Sequence, residues 1–279
     1  MMISDSGRLS AACEWSESAL MLTRILGLAL VATVAVAADA ELPRVPSDAI
    51  AFTPRYPLWT DGMSKRRWLH LPAGTAIDKS DADAWEFPRG TRAWKEFSRD
   101  GKPVETRVIE RLADGSWSYL TYAWNDAGTR ATLAPEEGIP ERGIPSRADC
   151  LACHEGAAVP ILGYSAVQLE AKLGPALGYL HGNCGHCHND AALPALDLSL
   201  QQKTDAKASA VRTYASLIGR SSRFVPRGAA NPQRVDVLVA RMKSNDPLTR
   251  MPPLGVSIVD AEGVALISRW IQQPKEEAP

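Results

Sequence analysis

The stretch that decides the fold is RAWKEFSRDGKPVETRVIERLADGSWSYLTYAWNDAG, residues 92–128. It contains three runs rich in aromatic and β-branched residues, separated by the pairs Asp100-Gly101 and Asp114-Gly115. An Asp-Gly pair between two such runs is typical of the tight turn of a β-hairpin, because Asp and Gly tolerate a positive φ. The stretch therefore predicts consecutive antiparallel strands at 92–98, 104–112 and 116–124.

The region before this stretch extends the sheet. The run RRWLH at 66–70 predicts a further strand, and the proline-rich segment 41–60 is typical of an extended lead-in. Bulky side chains at Trp117, Tyr119 and Tyr122 fall on both faces of the last strand. We therefore expect both faces of the sheet to be covered.

The region after the stretch changes to a helical pattern. Residues 135–145 are rich in Gly, Pro and Glu and predict a linker, with a domain boundary near Ser146. Beyond it, helices are indicated by N-cap residues and by apolar side chains at helical spacing. They are predicted at 166–173 after Ser165, from Pro175 onward, at 235–244, and at 261–273 after Asp260 with Val264, Ile267 and Ile271 on one face. The fold class expected is α+β, with a β-rich antiparallel N-terminal domain at 41–147 and a mainly α-helical domain at 148–279.

The N-terminus predicts a targeting signal. After Arg24 comes the apolar run ILGLALVATVAVAA, which is short for a membrane span and whose Ala35-Val36-Ala37 fits a cleavage site. We expect residues 1–37 to be a signal peptide and the mature protein to be periplasmic. An uncleaved signal acting as an anchor is the alternative, and it would be the protein's contact with the membrane. Acidic residues are unusual at the start of a signal, which places the expected translation start at Met21.

Composition narrows the class of partner. The chain has 279 residues and a formal net charge of −1, so it lacks the basic footprint of a nucleic-acid-binding protein. An exported redox protein needs a donor or acceptor in the same compartment. A periplasmic redox partner protein is therefore the expected partner.

Two C-x-x-C-H motifs carry the chemistry of the predicted mature chain. This motif is the signature of covalent haem attachment, in which the two cysteines form thioethers and the histidine binds the iron. Redox-active dithiols, zinc ligation and local disulfides are the competing interpretations. The sequence predicts two covalently attached haem c groups, with iron held by the histidines. One site is Cys150, Cys153 and His154, and the other is Cys184, Cys187 and His188.

The segment RMPPLG at 250–255 predicts the sixth ligand of the second haem. A thioether sulfur is a soft, neutral ligand that raises the haem potential, and two prolines after Met251 restrict the loop that carries it. The first haem has no comparable segment. Its sixth ligand is expected to be His70 or Met63, or the position is open.

The first motif is followed by too little chain to bury a haem by itself. Only 29 residues separate His154 from Cys184, so the first haem must be covered partly by the β-rich region. In that region Lys65, Arg66 and Arg67 form a basic cluster that we expect to be a solvated face. Contact with haem propionates or with an acidic partner surface is the alternative.

Longer phrases resemble a bacterial family of exported dihaem c-type cytochromes. They are YPLWTDGMSKRRWLHLPAGTAI at 56–77, KEFSRDGKPVETRVIER at 95–111, IPSRADCLACH at 144–154 and GYLHGNCGHCHN at 178–189. The resemblance covers residues 52–272 and implies a cytochrome c-like C-terminal domain, two haem sites and Met251 distal to the second. FVPRGAANPQ at 224–233 departs from the tighter turn usual in such cytochromes. A more distant likeness is to oxidases whose c-type haem lies under a β-sheet and is cross-linked to a lysine. Lys95 occupies the matching position, although a strand lysine is usually solvated.

The function expected is one-electron transfer by an exported dihaem cytochrome. One alternative is a haem enzyme, peroxidase-like or oxidase-like, with an open first haem fed by the second. Another is a periplasmic redox sensor or partner-docking module.

Overall fold

An antiparallel meander forms the N-terminal part of the protein. The structure is a computed structural model and describes residues 41–225 and 230–273. Each strand of the sheet pairs with the next along the chain. The strands are β1 (Ile50–Ala51), β2 (Ser64–His70), β3 (Arg92–Arg99), β4 (Lys102–Arg111), β5 (Trp117–Trp124) and β6 (Ala131–Leu133). Both residues of the Asp100-Gly101 turn have positive φ, which is why this pair occupies it.

Helices dominate the rest of the chain, and the predicted α+β fold class is confirmed. In the described residues they are α1 (Arg147–His154), α2 (Ala166–Leu169), α3 (Pro175–Asn183), α4 (Ala206–Leu217), α5 (Arg234–Met242) and α6 (Ala261–Gln272). The predicted caps are present, since Ser165 accepts a hydrogen bond from Gln168 N and Asp260 accepts one from Gly263 N. Helices α1 and α4 were not predicted.

Helix α2 ends four residues earlier than predicted because a distant tyrosine takes over its backbone groups. The Tyr56 hydroxyl donates a hydrogen bond to Ala171 O at 3.1 Å and accepts one from Leu173 N at 2.5 Å. These bonds hold residues 171–173 outside a helix. The prediction failed here because Tyr56 lies more than 110 residues away.

Strand alternation gives the sheet two different faces. The inner face carries Leu69 and Ala93, which pack with Val159 and Ile161 beyond α1. The outer face carries Trp94, Val108 and Tyr122, which pack against Leu42 and Leu133. Both faces are covered, as expected, and the inner face is the one that meets the first motif.

The lead-in segment at 54–62 connects the sheet to the helical region. Trp59 N donates to Asn183 Oδ1 on α3 at 2.7 Å, and Trp59 Nε1 donates to Ile258 O at 3.0 Å. The Asp61 carboxylate accepts hydrogen bonds from Ser257 N, Ser257 Oγ and Ile258 N at 2.6–3.0 Å. We call these four bonds, from three donor atoms to Asp61, the clasp.

The described residues belong to one compact unit, so the domain boundary at 147/148 stays a prediction. The signal peptide at 1–37 and the start at Met21 lie outside the described residues. Within the described ranges, the helices are all too short or too polar to cross a membrane.

Candidate cofactor site

Both C-x-x-C-H motifs open onto one cavity. Its volume is about 330 Å³, which lies within the usual range for pockets that bind small molecules or cofactors. Every sequence-predicted site residue lines it: Cys150, Cys153, His154, Cys184, Cys187, His188 and Met251. The remaining lining is mainly aliphatic, with Leu58, Leu162, Leu200, Leu238, Leu254, Val256, Val259 and Val264.

The first motif lies on helix α1. Ser146 and Asp149 form a capping box at its start, and the helix ends at His154. Residues i and i+3 of a helix lie on one face, so Cys150 and Cys153 point to the same side. The two thiols of this motif are therefore placed as a pair on α1.

His154 is held in one orientation. Its Nδ1 donates a hydrogen bond to Pro160 O at 2.6 Å, because a carbonyl oxygen can only accept. This bond fixes the ring and leaves Nε2 as the nitrogen with a lone pair. The Tyr119 ring lies against it, with centroids 5.3 Å apart. Burial lowers the pKa of His154 to about 3, so the imidazole is neutral.

The second motif follows helix α3 in a series of turns. His188 N donates to Cys184 O at 2.8 Å, which closes a turn around the motif. The Asn189 amide then donates to Gly185 O, His186 O and Gly156 O at 3.0–3.1 Å. Because Gly156 lies two residues after the end of the first motif, this asparagine ties the two motifs together.

His188 is a buried imidazole with an unused nitrogen. Burial lowers its pKa to about 4, so it is neutral. Its Nδ1 is buried and has no hydrogen-bond partner in the part of the chain that the structure describes. A buried polar atom of this kind in an aliphatic cavity calls for a ligand or for a group outside the chain.

Two methionines reach the cavity, although only Met251 was predicted as a ligand. Met251 lies on the loop before Pro252, and its N donates to Arg241 O on α5 at 3.0 Å. Met242 lines the same cavity but is 7% exposed and belongs to the apolar core of the helical region. Met251 is therefore the methionine whose loop leaves it available as a ligand.

The second cysteines of the two motifs lie beside each other. The sulfurs of Cys153 and Cys187 and a ring nitrogen of His186 all lie within 4.8 Å of one another. A hydrogen bond to Cys187, together with burial, raises the pKa of Cys153 to about 12. Sequence reasoning missed this cluster, since no local signal relates residues 34 positions apart.

The candidates for the sixth ligand of the first haem are not brought to the cavity. His70 lies on the outer face of β2, 3.7 Å from the Asp48 carboxylate, and Met63 does not line the cavity. Lys95 and Arg107, on the inner face of the sheet, line it instead. Lys95 is half-buried rather than fully exposed, and burial lowers its pKa well below the usual range.

The basic residues at 65–67 lie on two different faces of β2. Arg66 points outward, with its side chain 70% exposed and paired with Glu96. Lys65 and Arg67 point inward, and Arg67 is 7% exposed. The prediction of a solvated face is correct for Arg66 and wrong for Arg67. The period-two alternation of β2 was the signal that separates them.

Comparison of the chain with protein-family models, curated proteins and solved structures found no match.

Proposed function

We propose that this chain is an exported, periplasmic c-type cytochrome that carries two covalent haems and performs one-electron transfer with a periplasmic redox partner protein. One observation supports this proposal above the others. Two C-x-x-C-H motifs and a methionine on a separate loop converge on a single aliphatic cavity. Disulfides formed within each motif would not need that convergence, and a metal ion held by Cys153, His186 and Cys187 would not need Met251.

The donor set fits haem iron. Both His154 and His188 are neutral, as an iron ligand must be. Each also has one ring nitrogen that makes no hydrogen bond within the described residues. Among the described residues, the four cysteines form no disulfide, and each motif contains two of them. The haem would supply the one-electron couple, and the protein supplies attachment, axial ligands and burial.

The two sites would differ in their sixth ligand. At the second site, Met251 is mounted on α5 through its backbone and can supply a neutral sulfur. At the first site, the cavity is lined by Lys95 and Arg107 rather than by a further histidine. An open first haem would allow a small molecule to react there, which is the enzyme alternative, whereas the sensor alternative needs a partner surface.

A second candidate function is soft-metal binding without haem. The cluster of Cys153, His186 and Cys187 offers three ligand atoms within 4.8 Å of one another, and thiolate and imidazole suit zinc. The two candidates exclude each other, because haem attachment would consume both thiols of this cluster.

The deciding experiment is an intact-mass measurement on the full chain expressed with a c-type maturation system. We expect two haem increments, one of which is lost in Cys150→Ala/Cys153→Ala and the other in Cys184→Ala/Cys187→Ala. Zinc with no haem would contradict the proposal and favour the second candidate.

A matched pair of histidines controls the ligand assignment. His186 and His188 belong to the same motif, but only His188 follows the second cysteine. His188→Ala should change the haem absorption spectrum strongly, whereas His186→Ala should leave two haems with an unchanged spectrum. Equal effects of the two substitutions would argue against His188 as the iron ligand.

A further inference from the structure

A row of cationic side chains crosses the inner face of the sheet. Register pairs Arg67 on β2 with Lys95 on β3, and Lys95 with Arg107 on β4. Thr121 on β5 continues the row beside Arg107. Side chains directly opposite on neighbouring strands lie close together, and like charges in such positions repel each other.

Only one member of the row has a carboxylate partner. Glu105 binds Arg107 through two hydrogen bonds of 2.6 and 3.1 Å and is itself 1% exposed. Neither Arg67 nor Lys95 has an acceptor or an ion pair within residues 41–225 and 230–273. Lys65 nearby adds a further cation, and its Nζ donates to Leu58 O at 2.5 Å.

Such an arrangement is costly unless an anion is present. Burial of an unpaired charge carries a penalty of several kcal/mol, and a second like charge adds to it. Arg67 is 7% exposed, so little of its side chain reaches the outer solvent. Burial lowers the pKa of Arg67 to about 10 and that of Lys65 to about 8.

The unpaired cations border open space, and the Nζ of Lys95 also lies 4.9 Å from the centroid of the Phe97 ring. Arg67 and Lys95 line a second cavity of about 350 Å³, which adjoins the motif cavity through Leu58, Leu162 and His186. Both also border a smaller space beside His154 and Cys150. Room for a ligand therefore exists next to the first motif.

We propose that Arg67 and Lys95 form an anion-binding site beside the first motif, and that its ligand presents a planar oxyanion such as a carboxylate. A guanidinium and an ammonium side by side match two oxygens of such a group. Two sources share this chemistry. One is a propionate of the first haem, which rests on the proposed function, and the other is a small free oxyanion, which does not.

The test compares Arg67→Gln with Arg66→Gln in the full chain. The two arginines are neighbours on β2, but Arg66 lies on the outer face and is exposed. The melting temperature is measured while sodium formate replaces sodium chloride at constant ionic strength. If the ligand is a free oxyanion, formate raises the melting temperature of the wild type and of Arg66→Gln. The formate concentration that gives half of this effect is at least tenfold higher in Arg67→Gln and in Lys95→Gln.

A propionate ligand gives a different result. Formate then has no effect on the melting temperature. Arg67→Gln lowers the melting temperature more in the chain that carries the first haem than in the Cys150→Ala/Cys153→Ala chain, which lacks it. A double-mutant cycle measures this difference. If no haem is attached, the proposed function fails while the formate titration still tests the site. The anion site is overturned if Arg67→Gln melts at or above the wild type in both backgrounds, with no response to formate.

Discussion

The two C-x-x-C-H motifs share a cavity but are supported in different ways. The first lies on a capped helix against a β-sheet, and its surroundings include Arg67, Lys95 and Arg107. The second lies in turns after a helix, among aliphatic side chains and beside Met251. The same five-residue motif is therefore placed in a charged environment and in an apolar one. For bound haems, this difference favours an electron relay at the second site and small-molecule access at the first.

The largest effect is expected when each of the two methionines that line the cavity is replaced in turn. Met242→Ala should cost about 2–5 kcal/mol of unfolding free energy, because Met242 fills the apolar core. Met251→Ala should cost less, yet it should abolish the sulfur-to-iron charge-transfer band and lower one of the two haem potentials. Denaturant unfolding and spectroelectrochemistry measure the two effects. Loss of the band in Met242→Ala alone would reverse the assignment.

The next largest effect concerns the close packing behind the second motif. A methyl group at Gly178 on α3 would lie 2.2 Å from a ring carbon of Tyr56, so Gly178→Ala must displace the ring. We expect a loss of about 2–3 kcal/mol in unfolding free energy. Gly174→Ala is the control, since nothing lies within 4 Å of a methyl group there, and it should cost less than about 1 kcal/mol. Similar losses of unfolding free energy in the two variants would mean that the Tyr56 ring moves aside at little cost.

A pH effect should follow from His181, also on α3. Burial lowers its pKa from 6.5 to about 4, and its Nδ1 accepts a hydrogen bond from Gln202 N. Between these values the unfolded chain binds the proton and the folded chain does not, so stability falls as pH falls through this window. From pH 7 to pH 5 the loss due to His181 should be about 2 kcal/mol.

Urea unfolding at both pH values isolates this contribution. The difference between pH 7 and pH 5 should shrink by that amount in His181→Gln. An unchanged difference would show that His181 is already protonated, or solvated, in the folded protein.

The smallest effect should come from the cap of the first motif. Ser146→Ala removes one half of the capping box of α1 and should cost about 1 kcal/mol. Helix α3 has no side-chain cap to lose, since Gly174 occupies that position. If haem attachment at the first motif is unaffected while the melting temperature falls, the cap serves stability alone.

The sheet was predictable because its signals are local. The Asp-Gly pairs and the alternation of side chains located β3, β4 and β5 to within two residues. Helix α4 was not predicted because its sequence, AKASAVRTYASL, has small and polar residues instead of a clear apolar stripe at helical spacing. The cysteines and histidines of both motifs and Met251, which line the cavity, were named from the sequence, since C-x-x-C-H and M-P-P are local patterns as well.

What the sequence did not reveal depends on distant pairing. The inward positions of Arg67 and Lys95 follow from register between strands, and the contact of Cys153 with Cys187 follows from the packing of α1 against the second motif. The segment at 54–62, most of which lies in the lead-in expected at 41–60, was given no role in the helical region. Its Tyr56, Trp59 and Asp61 instead hold the helical region, through bonds that span more than 110 residues.

The clasp also sets an order of events in time. Asp61 and Ser257 are 196 residues apart, so at 5–20 residues per second roughly 10–40 s of synthesis separate them. Both C-x-x-C-H motifs are made within that interval, before the clasp has its second half. In a chain that folds as it emerges, the cavity wall beyond Met251 is therefore the last to be secured, and the motif thiols stay open until then.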